Sequence, residues 1–205
     1  MFDRGDFSPG HRTLGNWLSL QQGQGSEWVH LHFHMAVFEL ALGQWDEAYR
    51  RFLAHVLPTA TGTAEALTDA PALLWRLAIT AREPVVLPWQ PLRRTALANL
   101  QRSNNPFTQI HHLLALAGAG DRHSIQEFSE RQLPRTSIVR RFATACDALA
   151  KRAYSQAREQ LSAVLPDLGK VGGSHAQQGI FEQLAIWTGR AADRPRFYGL
   201  GLSID

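Results

Sequence analysis

Apolar residues recur at three- and four-residue spacing along this chain, so the pattern predicts helices and no strands. The clearest stretch, WVHLHFHMAVFELALGQWDEAYRRFLAHVLP from Trp28 to Pro58, reads as two amphipathic helices joined by a tight turn at Gly43. The first runs from about Glu27 to Leu42 and is apolar nearly all round, as expected of a helix sandwiched between neighbours. In the second, Asp46 to Leu57, an apolar stripe of Trp45, Ala48, Tyr49, Phe52, Leu53 and Val56 lies opposite the charge pairs Asp46–Arg50 and Glu47–Arg51, and Pro58 ends it. Asp69 caps a third helix that buries Leu73, Leu74, Leu77 and Ala78. A fourth follows from Pro91 to Leu100, a fifth from Phe107 to Ala117, and a sixth is capped by Asp121 and carries Ile125 and Phe128. Val139, Phe142, Ala145, Cys146 and Leu149 mark a seventh, and Tyr154, Ala157, Leu161 and Leu168 an eighth. A capping box of Ser174 and Gln177 opens a ninth through Trp187.

Residues 1–12, with Gly5, Pro9 and Gly10, read as a flexible N-terminus, and Leu14 to Gln22 as a short helix. Residues 13–190 then form one helical domain, and 191–205 an extended tail. Helices joined by turns this short pair antiparallel, so the eight after the short one form hairpins that stack, with the ninth capping the stack. Gly43, Trp45, Ala48 and Phe52, with Ala36 before them, fit the tetratricopeptide-repeat pattern of Gly, aromatic, Ala and aromatic. Tyr154, Ala157 and Leu161 repeat it with Arg152 where Gly is usual, and Gly120, Ile125 and Phe128 repeat it weakly. The expected fold is therefore all-α, with about nine helices in hairpins stacked as a TPR-like right-handed superhelix, or α-solenoid. Spacing between the hairpins departs from the regular period of about 34 residues, so the repeats are degenerate.

Three segments carry a narrower resemblance. HLHFHMAVFELALGQWDEAYRRF, then DAPALLWRLAI at Asp69 to Ile79, then GKVGGSHAQQGIFEQL at Gly169 to Leu184, resemble in order and separation the tetratricopeptide repeat protein 38 family, over most of residues 12–190. Members of that family are usually longer at the N-terminus, so the chain resembles its C-terminal portion, and the resemblance implies an exposed N-terminal end suited to homodimerisation. It brings no catalytic residues, and implies instead that a peptide or protein of unstated identity binds in a concave groove lined by the first helix of each pair. Registered on Gly43, that groove is lined by His30, Phe33, His34 and Val37, and on the seventh helix by Val139 and Phe142.

Composition narrows the alternatives. In 205 residues, 44% hydrophobic and 19% charged is the balance of a folded domain, and no apolar run reaches the roughly 18 residues of a spanning helix. The N-terminus lacks the apolar core of a secretion signal and Cys146 is the only cysteine, which removes an internal disulfide and any cysteine-based zinc cluster; a cytoplasmic protein is the simplest account. The net charge is +3 and the pI about 9.5, with Lys151 and Lys170 the only lysines. Arg50 and Arg51, Arg93 and Arg94, and Arg140 and Arg141 fall as pairs on separate helices, which reads as solvated faces and makes nucleic acid a weak candidate; an RNA-binding repeat is the second alternative function.

The catalytic alternative rests on histidines. His30, His32 and His34 would converge on one metal from a strand. At about 100 degrees per residue on a helix, His30 and His34 share a face and His32 points away, beside Glu39, so a metal-dependent or hydrolytic site would need His111, His112 or His175 as well. GKVGGS lacks the terminal Gly-Lys-Ser/Thr of a phosphate loop, and its glycines read as a helix-to-helix turn whose Ser174 amide is open to an anion. The expectation is a protein-interaction module with no cofactor, no metal and no catalytic residues.

Overall fold

The computed structural model describes residues 5–62, 66–134 and 136–193, and among them every regular element is helical. α1 (Phe7–Leu20) and α2 (Gly25–Ala41) come first. α1 includes half of the segment read as flexible, because Pro9 falls in the first turn, where its missing N–H has no intrahelical partner to lose. α3 (Trp45–Arg51) runs without a break through a π-helical segment, Phe52–Val56, into α4 (Leu57–Ala60). Pro58 therefore does not end this helix. It cannot donate to the Ala54 carbonyl, and the widened turn passes the chain round it, with the Leu57 amide donating to the Phe52 carbonyl five residues back.

A short 3-10 turn at Ala66–Thr68 leads into α5 (Asp69–Thr80), followed by α6 (Trp89–Asn99), α7 (Pro106–Gly118), α8 (Arg122–Gln132), α9 (Ile138–Ala150) and α10 (Tyr154–Val164). A 3-10 segment at Leu165–Lys170 precedes α11 (His175–Asp193), so α11 extends past Trp187 into the region read as a tail. Residues 194–205 of that tail lie outside the described residues.

Three of the turns are the same device. After α2, α7 and α9 the chain closes with paired amide bonds, Gln44 to Glu39 and Gly43 to Leu40, Asp121 to Leu116 and Gly120 to Ala117, and Ala153 to Ala148 and Arg152 to Leu149. The residue at the left-handed position is Gly43 (φ 76°), Gly120 (φ 73°) and Arg152 (φ 57°), so Arg152 takes the glycine conformation that its place in the repeat pattern requires. Caps follow the sequence at Asp121, whose Oδ1 accepts from the Ser124 amide at 3.1 Å, and at Ser174.

α2 packs on α5, α5 on α7, and α7 on α9, while α3, α6, α8 and α10 fill the spaces between or behind them. Two tryptophan indoles tie the hairpins together: Trp45 donates to the Leu77 carbonyl and Trp75 to the Leu114 carbonyl, each at 2.9 Å. A Cβ on Gly118 would lie 2.3 Å from the Trp89 ring, which explains the missing side chain. α11 does more than cap one end. It packs on α10 and α5, and its Phe181 lies 4.8 Å from the Phe142 ring of α9 and 5.8 Å from His111 of α7.

Candidate functional site

The inner helices carry polar residues into this packing, and the most connected group lies where α2, α5 and the start of α11 meet. One helical turn brings His34 Nε2 to 3.0 Å from His30 Nε2. His30 Nδ1 is 2.8 Å from Asp69 Oδ2, and Gln177 Nε2 donates to Asp69 Oδ1 at 2.8 Å. Asp69 is thus not a cap. Thr68 holds the N-cap position, and the Asp69 side chain, 6% exposed, points into the junction.

Gln177 joins this group to the opening of α11. Its Oε1 accepts from the Ser174 amide at 2.9 Å and its own amide donates to Ser174 Oγ at 3.3 Å, which completes the capping box expected at this position. The Ser174 amide is therefore occupied and does not wait for an anion. Two turns further along α5, Arg76 is buried, with its guanidinium 5.6 Å from the centre of the Phe33 ring and bonded to the carbonyls of Ala72 and Ala176.

Electrostatics separates the two histidines. The hydrogen bond to Asp69 holds the His30 pKa above the ordinary 6.5, against burial, which lowers it. Burial, and then the neighbouring His30 charge, lowers that of His34. Proton and charge therefore concentrate on the Asp69–His30 pair, beside an open cleft of about 450 Å³ lined by Ser26, Glu27, Leu31 and Thr68 as well as His30, Asp69 and Gln177.

His32 faces the other way, as the helical spacing predicts. Its Nδ1 is 3.0 Å from Arg51, which in turn holds both oxygens of buried Glu39, and its ring stacks 3.9 Å from His55. Burial, with the charges of His55 and Arg51, lowers its pKa to about 4. Arg51 thereby pairs with Glu39 across the hairpin and not with Glu47, which takes Arg50 at 2.8 Å. His111 is fully buried, its Nδ1 2.8 Å from the Phe107 carbonyl, and burial lowers its pKa to about 4. Among the described residues no three His, Cys, Asp or Glu side chains are placed to share a metal.

The structure buries most of the residues expected to line a groove. Phe33 and Phe142 are 0% exposed, Val139 2% and Val37 3%, so four of the six residues assigned to a groove are core. The reason is α11, whose Phe181 covers Phe142 and whose Ala176 carbonyl anchors the arginine above Phe33. Of the six, His30 and His34 retain partial exposure, and Val37 borders a second cleft between α2, α5 and α11. Of the paired arginines, Arg93 bonds Asp121, Arg141 bonds Asp167, and Arg140 bonds the Leu133 carbonyl.

Asp69, Arg76 and Gln177 carry the junction, and sequence reasoning gave them other roles or none. One signal was there: Asp69 and Arg76 interrupt an otherwise apolar segment, DAPALLWRLAI, in which every residue from Asp69 to Ala78 is buried. No protein-family model matches the sequence, and no solved structure matches the fold. No described helix is long and apolar enough to cross a membrane.

Proposed function

We propose that this chain is a non-enzymatic, TPR-like interaction module of the cytoplasm, related to the tetratricopeptide repeat protein 38 family, whose helices stack as a right-handed superhelix and which works by holding a protein partner. The order of packing supports the stack, since α2, α5, α7 and α9 follow one another, and three of these four, α2, α7 and α9, end in the same turn geometry at Gly43, Gly120 and Arg152. A binding role is supported over a catalytic one by the Asp69–His30 pair, which ends on a second imidazole and not on a hydroxyl or thiol.

The partner docks outside the inner surface, because α11 covers the helix faces a groove would use. The observation that carries this placement is the outer face of α1. α1 lies on α2 and exposes Trp17 (46%), whose ring is 6.2 Å from that of Trp28 in α2, and Leu20 (81%) a helical turn further on, at the end where a second copy would join. The test compares the wild type with a Trp17→Ser, Leu20→Ser double variant, both confirmed folded by circular dichroism, in sedimentation velocity and in affinity capture from source-cell lysate. The wild type is expected to self-associate or to retain specific proteins, and the variant to lose them; identical behaviour of the two proteins refutes the placement.

A further inference from the structure

His30 and His34 stand one turn apart on α2, with their Nε2 atoms 3.0 Å apart and their ring centres 4.5 Å apart. Both keep contact with solvent: the His30 side chain is 37% exposed and borders the open cleft beside Ser26 and Glu27, and His34 is half-buried. An imidazole binds a metal through a ring nitrogen that carries no proton, so the tautomer of each ring decides whether the pair can act together.

Asp69 sets the tautomer of His30. Its Oδ2 accepts the Nδ1 proton at 2.8 Å, which in the neutral ring leaves the Nε2 lone pair bare, on the side where His34 lies. The carboxylate is itself fixed, since its side chain is 6% exposed and its second oxygen accepts from Gln177 at 2.8 Å. A carboxylate on the far nitrogen of a histidine is the arrangement that orients metal-binding imidazoles and raises their basicity. In His34, moving the proton from Nε2 to Nδ1 bares the second nitrogen without charging either ring.

The separation of the two nitrogens selects the ion. At metal–nitrogen bonds of about 2.0–2.1 Å, nitrogens 3.0 Å apart subtend about 91–97° at the metal, close to the right angle of tetragonal coordination, whereas a tetrahedral ion would hold them about 3.3–3.4 Å apart. Among the described residues no group of three His, Cys, Asp or Glu side chains forms around the pair, and zinc sites draw on three or four protein ligands. We propose that His30 and His34 chelate a late first-row divalent ion of right-angled coordination, Cu²⁺ before Ni²⁺ and Ni²⁺ before Zn²⁺, with Asp69 as a positioning residue behind His30. The ion takes the place of the proton between the two rings, and water fills the coordination positions that the protein leaves. The site is separate from the α1 face and requires no protein partner.

The test uses the full, untagged chain stripped with a chelator and titrated with Cu²⁺, Ni²⁺ and Zn²⁺ in a non-coordinating buffer. Affinity is read by calorimetry, and electron-spin-echo modulation counts the imidazoles on bound Cu²⁺. The expected result is one Cu²⁺ per chain at about 10 μM or tighter with two imidazoles on it, Ni²⁺ at least about tenfold weaker, and Zn²⁺ weaker still. His34→Ala should weaken Cu²⁺ at least about tenfold and leave one imidazole, and Asp69→Asn should weaken it about 10–100-fold with both imidazoles retained. His123→Ala, at a side chain 91% exposed on α8, is the control and should bind like the wild type. Circular dichroism checks the fold of each variant, and if His34→Ala or Asp69→Asn does not fold, the imidazole count and the order of the three metals in the wild type decide alone. Absence of stoichiometric Cu²⁺ binding, a single imidazole on the bound ion, or affinity unchanged in His34→Ala overturns the site. Zn²⁺ held more tightly than Ni²⁺ overturns the right-angled geometry, and Asp69→Asn binding Cu²⁺ like the wild type overturns the role of Asp69.

Discussion

Replacing Gln177 by alanine isolates what holds the first turn of α11 to the inner helices. The side chain donates to Asp69 Oδ1 at 2.8 Å and accepts from the Ser174 amide at 2.9 Å, and both bonds disappear with it. A hydrogen bond to an ionised, buried carboxylate contributes about 1.5–3 kcal/mol, and the cap roughly a further 1 kcal/mol. Gln177→Ala should therefore destabilise the protein by about 2.5–4 kcal/mol, a large part of the roughly 5–15 kcal/mol that a domain commands. Urea denaturation followed by circular dichroism reads this as a lower midpoint at unchanged slope, with Gln156→Ala, an exposed α10 position, as the neutral control. A double-mutant cycle with Asp69→Ala, which removes the acceptor, assigns the share of the cross-helix bond, which should appear as a coupling above about 1 kcal/mol. A loss below about 0.5 kcal/mol, the level of an ordinary surface change, would refute the account of how α11 is seated.

Three further outcomes test separate parts of the account. Gly118→Ala places a methyl 2.3 Å from the Trp89 ring and should cost about 1–3 kcal/mol by overpacking, measured as a drop in thermal midpoint; an unchanged midpoint means that α6 and α7 do not approach this closely. At the shared turn position, Gly120→Ala should destabilise by about 1–2 kcal/mol while Arg152→Gly is neutral to mildly stabilising, and equal losses at the two sites would deny them a common left-handed geometry. Acidification should lower stability between pH 6.5 and about 4, because the depressed pKa values of His32 and His111 mean that the unfolded chain takes up their protons first, so their contribution is present above 6.5 and lost below it. The raised pKa of His30 acts in the opposite sense, adding stability below 6.5 that fades as pH rises through its folded value; urea midpoints rising steadily from pH 7.5 to 4.5 would overturn the assignment of neutral, buried His32 and His111.

Local features were legible in the sequence where a single turn decides them. Gly43, Gly120 and Arg152 marked equivalent corners because the left-handed position recurs in a fixed relation to the aromatic and alanine residues that follow. The opposite directions of His30 and His32 followed from helical angle alone. Pro58 misled because a proline stops a helix only when the turn cannot widen, and the π-helical segment before it does. Asp69 misled for another reason: an aspartate at a helix start is most simply a cap, and its partners His30 and Gln177 lie 39 and 108 residues away. The burial of the groove residues was hidden on the same ground. Periodicity correctly made Phe33, Val37, Val139 and Phe142 one face of their helices, but which element covers that face is a long-range fact, and α11 covers much of it.

Whether α11 is part of the core or lies loosely over an open groove decides between the interior and the surface as the place where a partner binds. Hydrogen–deuterium exchange of the full chain, resolved to α5 and to the Ile180–Thr188 stretch of α11, measures this directly. Protection of the two segments at comparable free energies is the result predicted by the buried Ile180, Phe181, Leu184 and Thr188. Rapid exchange of α11 while α2 and α5 stay protected would contradict the account, and would return Phe33, Val139 and Phe142 to an accessible binding surface.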